Sequence, residues 1–269
     1  MTRRLGRSGV LGATLLGLLV ALAVVGPLLA ADPYLTDYPG KLAAPSPAHP
    51  LGTDSAGRDV AARLATGARV TLASAGAVWT VAVAAGIGLG ALGGFAGAPV
   101  QALIARAVDL ALALPQVLVA LALAGALGPG LRNLIVAMSA TAWAPTARLA
   151  TAYVRGGQLR PDVTAARMAG ASSWVALARH VLPGACARVV VVATLGLSQV
   201  ILSLAGLSFL GLGVSPPTAE WGQMVSQGRS DLLTAPWVVL APAAAIVVAV
   251  AATSLAGDAL RSWVDGDRR

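Results

Sequence analysis

Charged residues are spaced along this chain so that long apolar stretches lie between them. There are 24 uncharged residues between Arg7 and Asp32, 36 between Arg69 and Arg106, and 22 between Asp109 and Arg132. Another 31 separate Arg188 from Glu220, and 26 separate Asp231 from Asp258. A helix needs roughly 20 residues to cross about 30 Å of hydrocarbon, and every run meets that length. Proline and glycine punctuate the pattern. Gly93, Gly94, Gly97 and Pro99 end one helical stretch, Gly128-Pro129-Gly130 ends the next, and Pro145 falls inside the stretch that follows, where a membrane helix tolerates it. The pattern predicts six spans, over 8–30, 70–93, 101–127, 131–153, 189–210 and 236–257.

Residues 31–68, with Pro33, Pro39, Pro45, Pro47 and Pro50, read as an aqueous loop. The stretch holding Pro216, Pro217, Glu220, Arg229 and Asp231 reads as a wet connector. Arg106 and Asp109, early in the third span, can snorkel or pair at the interface. Arg3, Arg4 and Arg7 resemble the start of a signal peptide, but the run that follows exceeds the usual apolar region of roughly 7–15 residues, which predicts a retained span. The fold class is therefore all-α: a polytopic membrane protein with six transmembrane helices, whose loop between spans four and five is identified below, by resemblance, as a cytoplasmic coupling-helix loop. The expected organisation is a first helix and its tail over 1–30, an outer loop over 31–68, a five-helix core over 69–258 that includes a loop at 155–185, and a tail over 259–269.

Composition agrees with the run lengths. Of 269 residues, 57% are hydrophobic and 11% charged, far from the roughly 25% charged residues of soluble domains. The net charge of +8 comes almost wholly from arginines set between apolar runs, not gathered in an aromatic-studded patch, so it points to a membrane and not to nucleic acid. Six spans put both termini on one side. That side carries 13 basic residues against 6 on the other, which makes the termini and the 148–188 stretch cytoplasmic and the 31–68 loop external.

The inventory of reactive groups is short. Cys186 has no cysteine partner, and His49 and His180 fall on opposite sides of the membrane, so they cannot share one metal ion. Structural roles suit all three, and no cofactor or metal is expected. No nucleophile and base pair at membrane depth, as an intramembrane enzyme requires. An ion-gradient-driven transporter or channel is the other reading, but its best buried ionisable candidate, Asp109, lies near the cytoplasmic end of its span. There is no Gly-x-x-x-x-Gly-Lys-Ser/Thr loop, and the one lysine, Lys41, is external, so any ATP site belongs to another chain. Gly86, Gly88, Gly90, Gly93 and Gly94 predict close helix packing, with a gating hinge as the alternative.

The most informative stretch is cytoplasmic. Residues 162–169 predict a short helix, broken at Gly170, followed by a second helix capped by Ser172 or Ser173 and ended by Pro183. Two short helices meeting at a glycine form a rigid knob that can pass a neighbour's motion into the attached spans.

Within this stretch, Ala165, Ala166, Gly170, His180, Leu182 and Pro183 resemble in type and spacing the EAA loop of bacterial ABC importer permeases. Thr164 stands where that family usually has Glu. The resemblance implies that Thr164, Ala165, Ala166, Gly170, Ala171, Ser172, Arg179, His180 and Pro183 form a coupling element docked on an ATPase. It extends to His49-Pro50-Leu51-Gly52-Thr53-Asp54-Ser55-Ala56-Gly57-Arg58-Asp59, to Leu207-Ser208-Phe209-Leu210-Gly211-Leu212-Gly213, to Pro216-Pro217-Thr218-Ala219-Glu220-Trp221-Gly222 and to Gly257-Asp258-Ala259-Leu260-Arg261 with Asp265, which are similar to the peptide and nickel branch. Ala205-Gly206 leans toward nickel permeases, and Leu204 stands where peptide permeases often carry Glu. The resemblance implies a bacterial inner-membrane subunit that passes a short peptide, nickel or a nickel chelate. It also implies a homologous permease, two cytoplasmic ATPase subunits, an extracytoplasmic solute-binding protein and membrane lipid as partners. Spans two to six would line the path.

Overall fold

The computed structural model describes residues 7–265, and among these the regular elements are helices. In chain order they are α1 (Arg7–Leu29), α2 (Val60–Phe95), α3 (Ala98–Ala113), α4 (Gln116–Leu127), α5 (Leu131–Gln158), α6 (Pro161–Met168), α7 (Ser173–Ala176), α8 (Leu182–Phe209), α9 (Trp221–Gly228) and α10 (Trp237–Asp265). A π-helical turn, Leu177–Val181, joins α7 to α8. Arg3 and Arg4 lie outside the described residues, as do Arg268 and Arg269.

Glycines four residues apart fall on one helix face, and Gly86, Gly90 and Gly94 turn that face of α2 toward α5. A Cβ at these positions would stand 2.5 Å from Thr146 Cβ, 2.4 Å from Ala150 Cβ and 2.7 Å from Val154 Cβ. Only hydrogen side chains allow the two backbones this close, which is how helices associate in lipid, where the apolar effect between them is weak. Gly88, two residues away, meets nothing within 4 Å and plays no part in the contact. The main core runs from Leu19 and Ala23 of α1 through Val78, Ala124, Met138, Leu204 and Trp221 to Ala249 and Ala252 of α10. Helix α1 packs against α2 and α10 at the edge of the bundle.

Four helices are long and apolar enough to cross a membrane: Ser8–Leu29, Val60–Phe95, the continuous helix Ser173–Phe209, and Trp237–Ser262. Helices α3 and α4 together qualify as a fifth, bent by 87°. Helix α5 has 28 residues but carries Arg132, Arg148 and Arg155, and it is less apolar than the others.

Several expected boundaries move. The 101–127 span is not one helix: Leu114, forced into an extended conformation ahead of Pro115, ends α3, and Pro115 opens α4. Pro145 stays inside α5, as expected, and α2 packs across it, with Gly86 against Trp143 O and Thr146 and Gly90 against Ala150. The 31–68 loop is shorter than expected, since α2 begins at Val60, where Asp59 Oδ1 accepts from Ala62 N at 2.7 Å. Pro183 does not end a helix. Leu182 N–H reaches back five residues to Leu177 O, and this wider turn carries the chain past the proline into α8. The 259–269 tail is helical as far as Asp265.

Candidate functional site

At one end of the bundle the chain between α5 and α8 forms a bent element. Helix α6 stops in a paired hydrogen-bond motif, Gly170 N to Arg167 O and Ala171 N to Ala166 O, both 3.0 Å. Gly170 closes it at φ +91°, a left-handed conformation that costs other residues energy. Ser172 then caps α7, its Oγ accepting from Val175 N at 3.3 Å. Arg167 Nη2 donates to Ser173 Oγ at 2.7 Å, across the bend. One side of the element is buried: Val163, Ala176, Leu177, Val181 and Ala185 form a cluster with Val154 of α5, and Ala91 and Phe95 of α2 pack on it. The Phe95 and Trp174 rings lie 5.0 Å apart at 49°. A knob fastened this way moves with the ends of α2, α5 and α8.

Of the residues expected to couple, Thr164, Ala165, Gly170, Ser172, Arg179, His180 and Pro183 are exposed, and Ala166 and Ala171 are half-buried. All lie on this one element. Thr164 Oγ1 donates to Arg160 O at 3.3 Å, a local bond that brings no charge in place of the usual Glu. Sequence reasoning missed four apolar side chains on the outer side: Leu159, Met168, Trp174 and Val175 are exposed, the first two above 80%. The sequence shows them only as large apolar residues in a polar loop, which does not say which of these are exposed.

The opposite end is a second built region. Asp54 Oδ1 accepts from Ala56 N (2.8 Å) and Arg58 N (3.0 Å), while its Oδ2 takes Arg58 Nε at 2.8 Å and faces Arg63 Nε at 3.4 Å. Arg63 is 1% exposed and also reaches Gln227 Oε1 of α9 at 2.9 Å and Pro217 O at 3.4 Å. His49 Nδ1 donates to Asp59 Oδ2 at 2.8 Å, and Trp237 Nε1 donates to Thr53 O at 3.2 Å. The 49–59 motif is therefore a lock that holds the loop between α1 and α2 to the start of α2, to α9 and to α10. His49 serves that lock, and His180 sits in the π turn of the knob. Asp109 pairs with Arg148 of α5.

The connector after α8 is not wet throughout. Glu220 is fully buried and caps α9, accepting from Gly222 N and Gln223 N at 3.0 Å and from Thr71 Oγ1 at 2.9 Å. Burial pushes its carboxyl above the usual carboxylate range, against the backbone N–H groups of Gly222 and Gln223 and the Thr71 hydroxyl, which pull it down. The folded chain therefore holds this proton to higher pH than the unfolded chain does. Its stabilising contribution is complete below about 4.5 and is lost as pH rises through the raised value. Glu220→Gln should flatten that part of the pH dependence, read as the difference in Tm between pH 5 and pH 8 in nanodiscs. An unchanged slope would show that Glu220 is ionised throughout.

Between the two ends, α2, α4, α5 and α8 enclose a cleft of about 230 Å³ lined by Trp79, Gln116, Pro145, Thr146, Gln199 and Ser203 among others. Helix α2, 36 residues and roughly 54 Å long at 1.5 Å per residue, runs from the lock past this cleft to the knob.

Residues 86–269 match the family described as the binding-protein-dependent transport system inner membrane component. The nickel transport system permease protein NikC of Escherichia coli is 36% identical over 234 residues, 87% of this chain and 84% of that protein. The dipeptide transport system permease protein DppC of Alkalihalophilus pseudofirmus is 35% identical over 257 residues, covering 95% and 84%. The glutathione transport system permease protein GsiD of Pectobacterium atrosepticum is 39% identical over 235 residues, covering 85% and 76%. An all-helical apolar bundle with a bent, fastened knob between α5 and α8, matched over most of its length by such relatives, belongs to the inner-membrane permease family of binding-protein-dependent ABC importers, in its peptide and nickel branch.

Proposed function

We propose that this chain forms, with a homologous permease, the pathway by which a short peptide or nickel, free or chelated, enters the cell, and that ATP hydrolysis in two separate cytoplasmic subunits drives it. A solute-binding protein delivers the solute at the outer end, and both termini are cytoplasmic. The chain crosses the membrane six times, with α3 and α4 together as one crossing and α5 as another. The observation that carries the reading is the knob between α5 and α8. It buries Val163, Ala176, Leu177 and Val181 against α2 and α5 and leaves Leu159, Met168, Trp174 and Val175 exposed. Exposed apolar residues on a polar, cytoplasmic element mark a protein contact. The inner fastening lets a docked engine pull on α2, α5 and α8 together, as alternating access requires.

The coupling surface comprises Thr164, Ala165, Ala166, Gly170, Ala171, Ser172, Arg179, His180 and Pro183. In the complete transporter, Met168→Cys in a Cys186→Ala background should be joined to the ATPase subunit by a short cross-linker that has a maleimide at one end and a photoactivated diazirine at the other, with a yield that changes when ATP is added. Labelling of that cysteine from outside intact cells, or no cross-link to the ATPase, would overturn the reading.

A further inference from the structure

Amide side chains are costly in hydrocarbon, and a glutamine on an apolar helix is expected to face a partner, water or a ligand. Gln199 lies well inside α8, is exposed, and makes one hydrogen bond among the described residues, Nε2 to Ser203 Oγ at 3.3 Å one turn along. Gln116 opens α4 directly after the Leu114–Pro115 break. Both glutamines line the cleft between α2, α4, α5 and α8, joined by the Ser203 and Thr146 hydroxyls. Trp79 forms an apolar wall there, its indole fixed by Nε1 donating to Ala193 O at 2.7 Å.

We propose that Gln116, Gln199 and Ser203 are the polar wall of the solute passage, and that they hydrogen-bond the carboxylate, ammonium and amide groups of a zwitterionic organic solute in transit. This rests on the transport reading above. A carboxamide both donates and accepts, so one side chain serves either end of a zwitterion. Such neutral contacts are weak enough to release what they hold, as a conduit requires. The lining side chains are amides, hydroxyls, indole and hydrocarbon, without the carboxylate or imidazole groups that hold a bare divalent cation. A metal ion would pass this wall only inside an organic chelate.

The test uses the complete transporter in proteoliposomes, with Cys186→Ala as the background. Gln199→Cys and Gln116→Cys should react with a charged, water-soluble methanethiosulfonate. An excess of the transported probe, dialanine or a Ni(II)–histidine complex, should slow that reaction. Leu18→Cys, on an exposed apolar position of α1, should stay unlabelled. Gln199→Leu should lower uptake at least about tenfold, while ATP hydrolysis stimulated by the binding protein stays within about twofold; Gln199→Asn should restore part of the uptake. Unlabelled cysteines, or ATP hydrolysis that falls in step with uptake, would overturn the proposal and assign the glutamines to a subunit contact. If the wild type moves neither probe, the solute reading fails, and the labelling still decides whether this wall faces water.

Discussion

Gly170→Pro is expected to cut ATP-driven uptake at least about tenfold while the chain still inserts into the membrane. Proline fixes φ near −65° and has no N–H, whereas Gly170 sits at φ +91° and donates to Arg167 O at 3.0 Å. The substitution therefore destroys the bend between α6 and α7. It leaves the buried anchors Val163, Leu177 and Val181 chemically intact. If the knob is the lever of the transporter, an error of about 1.4 kcal/mol in its coupling already corresponds to tenfold in an equilibrium. Gly170→Ala separates backbone from volume. Its Cβ meets nothing within 4 Å, so only the left-handed conformation is penalised, at roughly 1–2 kcal/mol, and the loss should be partial. The measurement is uptake and ATP hydrolysis side by side in proteoliposomes. Wild-type uptake by Gly170→Pro would remove the knob from the mechanism.

Gly90→Leu is expected to prevent the bundle from forming, while Gly88→Leu is tolerated. A Cβ at position 90 would stand 2.4 Å from Ala150 Cβ and 2.6 Å from Ala147 O, and a backbone carbonyl in a packed helix cannot move aside cheaply. Overpacking of this kind typically costs about 1–3 kcal/mol even where neighbours can shift. Here α2 and α5 would have to separate along the Gly86, Gly90 and Gly94 face, so the cost should reach the upper end or more. Net stabilities of only about 5–15 kcal/mol leave little reserve. Position 88 is open, and leucine is there the better helix former by up to about 1 kcal/mol. The assay is the fraction of monodisperse chain recovered from membranes, together with its Tm. Equal behaviour of the two variants would mean that the α2–α5 contact does not hold the bundle together.

The same pair shows why the glycine-rich stretch was only half legible. Gly86, Gly88, Gly90, Gly93 and Gly94 all announce close packing, yet the side of α2 on which α5 lies selects which of them carry it. The bend at Gly170 was readable because it is local: a helix stop, a left-handed glycine and a serine cap are written within about a dozen residues. Leu159, Met168, Trp174 and Val175 were not singled out, because nothing nearby in sequence separates an exposed apolar residue from a buried one such as Val163.

From the sequence alone came the all-helical class, the apolar runs, the bend between α5 and α8 and, by resemblance, the family. The class and the runs follow from local physics, since a segment in lipid must satisfy its own backbone hydrogen bonds and so declares itself by length and apolarity. Only the tertiary structure decided that Pro115 breaks its span while Pro183 does not, that Arg63 and Glu220 are buried, and that two glutamines line one cleft. A proline breaks a helix unless neighbours hold it straight, and a charged or polar group can be buried where distant segments bring it partners. Asp54 and Gln227 do so for Arg63, as Thr71 and the start of α9 do for Glu220.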